Sequence, residues 1–218
     1  MPTLLTFGDS NTHGSPALRP DGTSDPRFGP GTRWPTIAHA ALGGGWTLVE
    51  EGLPGRTTCH PDPVMGAEMD GRTGLKIALR SHGPIDVLTI MLGTNDVKAR
   101  FAPTPLAVTA GIAGLLDIAL SDEWQDRHGG FRILVICPPP VILAGRLAGE
   151  FYGGPEVSRA LPPLYAALAA HRGCGFLDAG RLIAVDPMDG VHYDAAAHRT
   201  LGEAVADAVR ALMGPALQ

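Results

Sequence analysis

Short apolar segments alternate with amphipathic segments along the whole chain, and this alternation constrains the fold more than any other feature. Five apolar segments predict buried strands: Thr3–Phe7, Trp46–Glu50, Asp86–Leu92, Phe131–Cys137 and Gly175–Asp178. Four others have helical periodicity: Arg33–Leu42, Leu106–Leu120, Val157–His171 (interrupted at Pro162-Pro163) and Ala195–Met213. Each crossover has to return over the sheet, so the pattern predicts a three-layer α/β/α sandwich around a five-stranded parallel sheet.

The chain has 218 residues, which lies within the range of one domain. The long irregular stretches Gly14–Gly31 and Pro54–Arg72 read as loops between elements rather than as linkers between domains. No internal repeat and no break in composition divides the sequence. We therefore expect residues 1–218 to form a single domain.

Composition narrows the classes of function. The net charge of −5 argues against nucleic acid as a partner. Cys59, Cys137 and Cys174 are an odd number without a CxxC pair, which does not indicate a disulfide framework. No apolar stretch approaches the ~18 residues of a membrane span, and Met1–Phe7 lacks the pattern of a signal peptide. We therefore expect a cytoplasmic protein that does not associate with a membrane.

Polar clusters follow three of the predicted strands, and a fourth precedes the last predicted helix. Gly8–Asn11 follows the first strand, Gly52–Arg56 the second and Gly93–Asp96 the third, while Asp189–His192 precedes the last helix. In open α/β sheets, functional groups gather at the carboxyl ends of the strands. We expect the four clusters to meet there.

In this order, the four clusters resemble the sequence blocks of the SGNH/GDSL hydrolase family. The Ser, Gly, Asn and His of those blocks match Ser10, Gly55, Asn95 and His192. The likeness extends over nearly the whole chain and is greatest to the bacterial arylesterase and acyltransferase/perhydrolase branch. Typical of that branch are Glu50–Leu53, Arg56–Thr58, Ile90–Asp96 and Phe176–Gly180. The resemblance implies a flavodoxin-like fold, a serine esterase without a cofactor, and assembly into homo-oligomers.

A serine hydroxyl is a weak nucleophile, and it needs a base within hydrogen-bonding reach. His192 suits that role at neutral pH, provided an acceptor holds its ring in one tautomer. Spacing and resemblance both favour Asp189 as this acceptor, three residues earlier across Gly190. Asp186 and Asp194 are its rivals, although Asp186 reads as a turn residue and Asp194 as the cap of the last helix.

Two further alternatives concern polar residues near this triad. Asp9 and Asp96 are adjacent to Ser10 and Asn95, and we interpret both as structural. A metal site of His192 and His198 with Asp189 and Asp194 is conceivable, but no HExxH pattern accompanies it, so we expect no metal. The other histidines at loops or helix ends are expected to face solvent: His60, His82, His128 and His171.

A tetrahedral intermediate needs hydrogen-bond donors aimed at its oxyanion. The candidates are the backbone N–H groups of Ser10 and Gly55 and the side-chain amide of Asn95. A glycine at position 55 lets the backbone approach the substrate without an intervening Cβ. Asparagine at position 95 supplies a neutral donor that does not compete for a proton.

The residues expected to contact the substrate are Asn11, Thr94, Lys98, Phe151, Tyr152 and Val191. The aromatic pair could equally pack its own loop or a subunit contact. Members of this branch often have Leu-Thr-Trp after the serine, where this chain has Asn11-Thr12-His13. Asn11 should therefore make the acyl pocket more polar, which weakens the expectation of efficient acyl transfer in water.

The leading hypothesis is hydrolysis of short-chain acyl esters, aryl or alkyl acetates or acetylated sugars, through an acyl-enzyme on Ser10. One alternative passes the acyl group to an alcohol or to peroxide. Another is a non-catalytic ligand-binding domain, because a fold does not fix a function. The GxSxG motif of α/β-hydrolases is absent from the sequence.

Overall fold

The computed structural model describes residues 1–214 and contains one fully parallel sheet of five strands. The strands are β1 (Thr3–Gly8), β2 (Thr47–Gly52), β3 (Val87–Met91), β4 (Arg132–Cys137) and β5 (Gly175–Asp178). Their order is β2-β1-β3-β4-β5. In register, Leu4 of β1 lies opposite Leu48 of β2 and Val87 of β3. This is the doubly wound order of flavodoxin-like sheets, and the predicted fold class is confirmed.

Helices cover both faces of the sheet. They are α1 (Ser10–His13), α2 (Trp34–Leu42), α3 (Gly71–Ser81), α4 (Pro105–Ala119), α5 (Asp122–His128), α6 (Gly154–Arg159), α7 (Leu161–His171) and α8 (Ala195–Met213). Short 3₁₀ turns lie at Ala67–Met69, Ala99–Phe101, Gly145–Leu147 and Ala179–Arg181.

Two apolar cores form because successive side chains of a strand point to opposite faces of the sheet. Leu5 and Phe7 of β1 pack in the core that α3, α4 and α7 cover. Leu4 packs in the other core, against Trp34 of α2 and Val205 of α8. Because helices cover both faces of the sheet, a site can form where the loops lie, at the carboxyl-terminal edge of the sheet.

Besides the four-residue helix α1, two helices were not predicted from the sequence. α3 begins within the segment Pro54–Arg72 that was expected to be irregular, and Asp70 caps it by accepting a hydrogen bond from the Arg72 N–H. Its buried positions, Leu75, Ala78 and Leu79, do have helical spacing. α5 is a short polar helix that buries Trp124 and His128. Both helices have few apolar residues, which leaves little periodicity to detect.

The expected helix Val157–His171 is in fact two helices, α6 and α7. Pro162 and Pro163 lie in the first turn of α7, where their missing N–H groups leave no helical hydrogen bond unmade. The two prolines therefore start a helix rather than interrupt one.

Within residues 1–214, no single helix has the length and hydropathy to cross a membrane. Only α4 and α5 taken together, across a bend of 53°, meet that criterion by length and composition.

Candidate active site

Ser10 is the first residue of α1, directly after the turn that ends β1. Asp9 caps this helix, because its carboxylate accepts a 2.9 Å hydrogen bond from the Asn11 N–H. The helix ends at Gly14, whose φ of 89° is the left-handed conformation that favours glycine. This tight loop places the Ser10 hydroxyl at the carboxyl edge of the sheet between β1 and β3, where the strand order reverses.

His192 reaches Ser10 from the opposite end of the chain. Its Nε2 lies 3.1 Å from Ser10 Oγ, and its Nδ1 lies 2.6 Å from Asp189 Oδ2. The other carboxylate oxygen of Asp189 accepts hydrogen bonds from the N–H groups of Val191 (2.9 Å) and His192 (3.0 Å). Gly190 turns the chain with a φ of 78°, and a Cβ there would clash with the Ile142 carbonyl oxygen. Only glycine fits this turn.

Asp189 is held as a carboxylate. Burial opposes its ionisation, but hydrogen bonds from His192 and Leu18 and the His192 charge outweigh burial and lower the pKa to about 2. The rivals considered from the sequence are engaged elsewhere. Asp186 accepts from the Met188 N–H, and Asp194 caps α8 through the Ala197 N–H. Of the three carboxylates, the structure brings Asp189 to the His192 ring.

The three expected oxyanion donors lie beside Ser10 in one cavity. The Asn95 amide nitrogen donates to the Arg56 carbonyl (3.1 Å) and lies 3.5 Å from Asp9 Oδ2, and these contacts set its direction. Within residues 1–214, the N–H groups of Ser10 and Gly55 donate to no other protein group. Gly55 has a φ of 89°, and a Cβ there would meet Met65 and Met69.

The cavity in front of Ser10 has a volume of about 370 Å³. Lys98, Phe151 and Val191 line it, as the sequence predicted. The rest of its wall comes from residues that sequence reasoning did not single out: Ser15, Pro16, Leu18, Ser24, Pro54, Met65, Leu147 and Glu150. All eight belong to the loops of residues 14–31, 54–66 and 145–151, which have no periodic pattern from which the direction of a side chain could be predicted.

Three predicted substrate contacts are wrong. Asn11 is fully buried beneath the site, because α1 turns its side chain away from the cavity and toward the Val191 carbonyl. Thr94 is buried and does not line the cavity. Tyr152 is 76% exposed: the chain turns after Phe151, which takes the inward position while Tyr152 points outward.

Lys98 is an ammonium group enclosed in the cavity wall. It is 5% exposed, and its Nζ lies 3.8 Å from Glu150 Oε2 and 3.7 Å from Met65 Sδ. Burial lowers its pKa. Glu150 is also paired with Arg100, which in turn pairs with the buried Asp62. The Lys98 ammonium therefore retains N–H groups that could donate hydrogen bonds to an oxygen of a bound substrate.

Leu18 is the site residue that the sequence could least reveal. Its backbone N–H donates a 2.8 Å hydrogen bond to Asp189 Oδ2, the same oxygen that faces His192. Every residue type except proline supplies such a group, so no sequence pattern marks it. The contact joins the loop of residues 14–31 to the carboxylate.

Buried charges lie beneath the site. Burial raises the pKa of Asp9 to about 6, although the Asn11 N–H and the His192 charge counteract the rise. The Arg56 guanidinium donates to the carbonyls of Gly8 (3.0 Å) and Glu51, and burial lowers its pKa to about 10. The two carbonyls end β1 and β2, so Arg56 ties together the strands that carry Ser10 and Gly55.

His198 does not join this cluster as a metal ligand. Its Nδ1 accepts a 3.3 Å hydrogen bond from the Trp34 N–H on the opposite side of α8, and burial lowers its pKa to about 4. In the part of the chain that the structure describes, no group of three or more His, Cys, Asp or Glu side chains could hold a metal ion.

The chain is similar to known hydrolases in both sequence and fold. Residues 6–200 match the model of the GDSL-like lipase/acylhydrolase family. The native aryl esterase of M. smegmatis superposes with a TM-score of 0.91 at 36% identity, covering 97% of this chain and 100% of that one. Est24, a carbohydrate acetylesterase from Sinorhizobium meliloti, gives a TM-score of 0.91 at 37% identity with the same coverage.

A structure of a carbohydrate acetylesterase family member from the same organism gives a TM-score of 0.89 at 35% identity, covering 98% of this chain and 100% of that one. A search of curated protein sequences gives no significant match. The family match spans most of the chain and the structural matches span nearly all of it. The chain therefore belongs to the GDSL-like lipase/acylhydrolase family, and with it to the carboxylic ester hydrolases.

Proposed function

We propose that the protein hydrolyses short-chain acyl esters through an acyl-enzyme on Ser10. One observation carries the proposal: the His192 ring is hydrogen-bonded to Ser10 on one nitrogen and to Asp189 on the other. Because Asp189 is ionised, it accepts a hydrogen bond from the Nδ1–H and keeps the proton on that nitrogen. Nε2 therefore has a free lone pair to take the proton of the serine hydroxyl.

In the first half of the reaction, Ser10 Oγ attacks the ester carbonyl carbon while its proton passes to His192 Nε2. The tetrahedral intermediate then collapses: the bond to the leaving alkoxide breaks, and His192 returns the proton to that oxygen as the alcohol departs. In the second half, His192 takes a proton from water, the resulting hydroxide attacks the acyl-enzyme, and the acid leaves as Ser10 regains its proton.

The intermediate carries a negative oxygen that needs donors on the side of the carbon away from His192. The uncommitted N–H groups of Ser10 and Gly55 supply two. The Asn95 amide supplies a third through the N–H that makes only the long 3.5 Å contact with Asp9. Donors fixed before the reaction stabilise this charge without reorganisation, and one such donor contributes about 3 kcal/mol in comparable enzymes.

The cavity favours small acyl groups. Its volume of about 370 Å³ is at the low end for small-molecule sites, and it must also hold the leaving group. The similarity to carbohydrate acetylesterase structures supports acetyl groups. Ser15, Ser24, Lys98 and Glu150 make part of the wall polar, and a polar wall retains water. Water is therefore the preferred acyl acceptor, ahead of alcohols or peroxide.

Acetylated carbohydrates are a second candidate substrate. Lys98 Nζ and Glu150 Oε2 are 3.8 Å apart in the cavity wall, too far for a direct hydrogen bond. An ammonium donor and a carboxylate acceptor at this separation suit neighbouring hydroxyl groups of a sugar. An acetylated xylo-oligosaccharide tested beside p-nitrophenyl acetate would decide between a polyhydroxyl and an aryl leaving group.

The experiment that tests the proposal is replacement of the nucleophile. Ser10→Ala should abolish p-nitrophenyl acetate hydrolysis while the circular dichroism spectrum and thermal midpoint stay as in the native protein. Ser81→Ala at the exposed end of α3 is the matched control and should keep full activity. Retained activity in Ser10→Ala would reject an acyl-enzyme on this residue.

A further inference from the structure

We infer that Asn11 is a positioning residue that holds the His192 turn in register with Ser10, an inference that rests on the proposed function. Asn11 follows Ser10 on α1, and Val191 precedes His192. The Asn11 side-chain amide donates a 3.1 Å hydrogen bond to the Val191 carbonyl, joining segments that are 180 residues apart.

The bond is built to be rigid. Asn11 is fully buried, so water does not compete for the Val191 carbonyl. Its own backbone is fixed in turn, because the Asn11 N–H donates to the Asp9 carboxylate at 2.9 Å. In residues 1–214, the hydrogen bonds between α1 and the turn 189–192 are this one and the Ser10–His192 contact itself. The Asn11 bond therefore supports the reacting pair without taking part in the reaction.

The oxygen of the Asn11 amide indicates that this side chain contributes little to the stability of the fold. Its Oδ1 is buried and has no hydrogen-bond partner in the described structure. An unsatisfied buried acceptor lowers stability. An apolar side chain of similar shape removes this acceptor but leaves the Val191 carbonyl without its donor, so the two effects on stability offset each other. The amide thus has one satisfied end, directed at the catalytic turn, and one end that disfavours folding.

The rate of catalysis depends steeply on the distance between Ser10 Oγ and His192 Nε2, which the Asn11 hydrogen bond helps to fix. A misplacement of about 1 Å between reacting groups can slow a reaction about 100-fold. The turn 189–192 carries both the base and its carboxylate, so a shift of Val191 moves both relative to Ser10. The expected effect falls on the chemical step rather than on substrate binding, since Asn11 does not line the cavity.

The test compares Asn11→Leu and Asn11→Ala with Thr12→Val, a buried change of similar shape on the same helix. Three quantities are measured: kcat and KM for p-nitrophenyl acetate, the rate at which an organophosphonate labels Ser10, and the midpoint of urea unfolding. For Asn11→Leu we expect kcat and the labelling rate to fall together about 10- to 100-fold with KM nearly unchanged. The midpoint should change little, because loss of the unsatisfied Oδ1 offsets the unpaired Val191 carbonyl. Thr12→Val should keep both rates.

Asn11→Ala removes the same amide and leaves a small cavity, without overpacking. It should show the same loss of kcat, and it provides the test if the leucine variant does not fold. The inference is overturned if a folded variant labels and turns over within about twofold of the native protein, or if activity falls only in proportion to stability. Failure of the proposed function looks different: the native protein itself would not be labelled at Ser10, whatever stands at position 11.

Discussion

The Nε2 atom of His192 lies 3.1 Å from Ser10 Oγ, although the two residues are 182 positions apart in the chain. The contact exists because β1 lies in the interior of the sheet and the turn 189–192 packs over its carboxyl end. Three separate segments supply the oxyanion donors around it, and the turn 189–192 itself supplies the carboxylate. Substitution of each of these residues should therefore have its own measurable effect.

Replacing Asp189 by Asn should reduce kcat about 1,000-fold or more, because the amide no longer holds the His192 tautomer that accepts the serine proton. The folded-state pKa of about 2 lies below the ordinary value of 3.8, so the carboxylate stabilises the fold above about pH 4. That stabilisation, up to about 2 kcal/mol, is lost as the pH falls toward 2. Steady-state kinetics and urea unfolding at neutral pH measure the two effects.

The control for that change is Asp186→Asn, three residues earlier. The Asp186 side chain accepts from the Met188 N–H and does not contact the His192 ring. Its backbone N–H donates to the His192 carbonyl at 2.7 Å, a bond that asparagine retains. Its kcat should remain within about twofold of the native value. Equal losses in the two variants would contradict the role assigned to Asp189.

Gly55→Ala should reduce kcat/KM about 100-fold by displacing an oxyanion donor. The new Cβ would clash with the Met65 methyl and lie 2.8 Å from Met69 Sδ, at a φ of 89° that side chains avoid. We expect a loss of about 1–2 kcal/mol of unfolding free energy as well.

Gly114→Ala is the matched control, because an added Cβ in the middle of α4 would have no other atom within 4 Å. This substitution should add about 0.5–1 kcal/mol of stability, since alanine loses less entropy than glycine in a helix. Its activity should be native. A Gly55→Ala variant with native kcat/KM would show that this N–H is not an oxyanion donor.

Lys98→Met should lower kcat/KM for an acetylated xylo-oligosaccharide about 10-fold and change p-nitrophenyl acetate hydrolysis far less. The methionine keeps the apolar stem, and only the buried ammonium donor is lost, which is worth about 1.5–3 kcal/mol when it binds an oxygen. Lys76→Met, an exposed change on α3, is the control and should alter neither substrate. Equal effects on both substrates would remove Lys98 from leaving-group recognition.

Asp9→Asn should stabilise the protein at neutral pH. Burial raises the Asp9 pKa to about 6 from 3.8, so the native fold loses stability as the pH rises through that interval. Above it, ionised Asp9 costs about 2–3 kcal/mol that asparagine avoids. Urea unfolding should therefore show a more stable variant at about pH 7.5 and no difference at about pH 4.

His198 has the opposite pH dependence. Burial lowers its pKa from 6.5 to about 4, so its neutral form supports the fold above that interval and its protonation removes stability as the pH falls through it. In the native protein, the opposite effects of Asp9 and His198 on the pH dependence of stability partly cancel. Asp9→Asn should expose the His198 effect as a loss of stability on acidification, and a variant whose stability runs parallel to the native protein at both pH values would contradict the assignment to Asp9.

The sheet could be predicted from the sequence because its signals are local. Val87–Met91 is buried throughout and apolar except for Thr89, as expected of a buried parallel strand. Each of the three polar clusters after a strand follows it directly. The meeting of Ser10 with Asn95 could be expected because both follow strands of one parallel sheet, whose carboxyl ends lie at the same edge. Family likeness added His192 and Asp189, whose turn is itself a local feature around Gly190.

Side-chain direction could not be predicted, since it depends on which layer packs over each position. Asn11 was expected in the pocket and lies beneath it, because a single turn of α1 reverses its direction. His128 was expected to face solvent, but α5 packs it against α3, where its ring bonds the Leu79 carbonyl at 3.1 Å and is 6% exposed. Contacts made by backbone groups, such as that of Leu18, leave no sequence signal at all.

The most direct test of the account is the site of covalent labelling. The native protein is treated with an organophosphonate ester, digested, and its peptides are mapped by mass spectrometry, with His192→Gln treated in parallel. The account predicts a single adduct on Ser10, formed at least about 100-fold more slowly in the histidine variant. An adduct on another residue, or equal labelling without the imidazole, would contradict it.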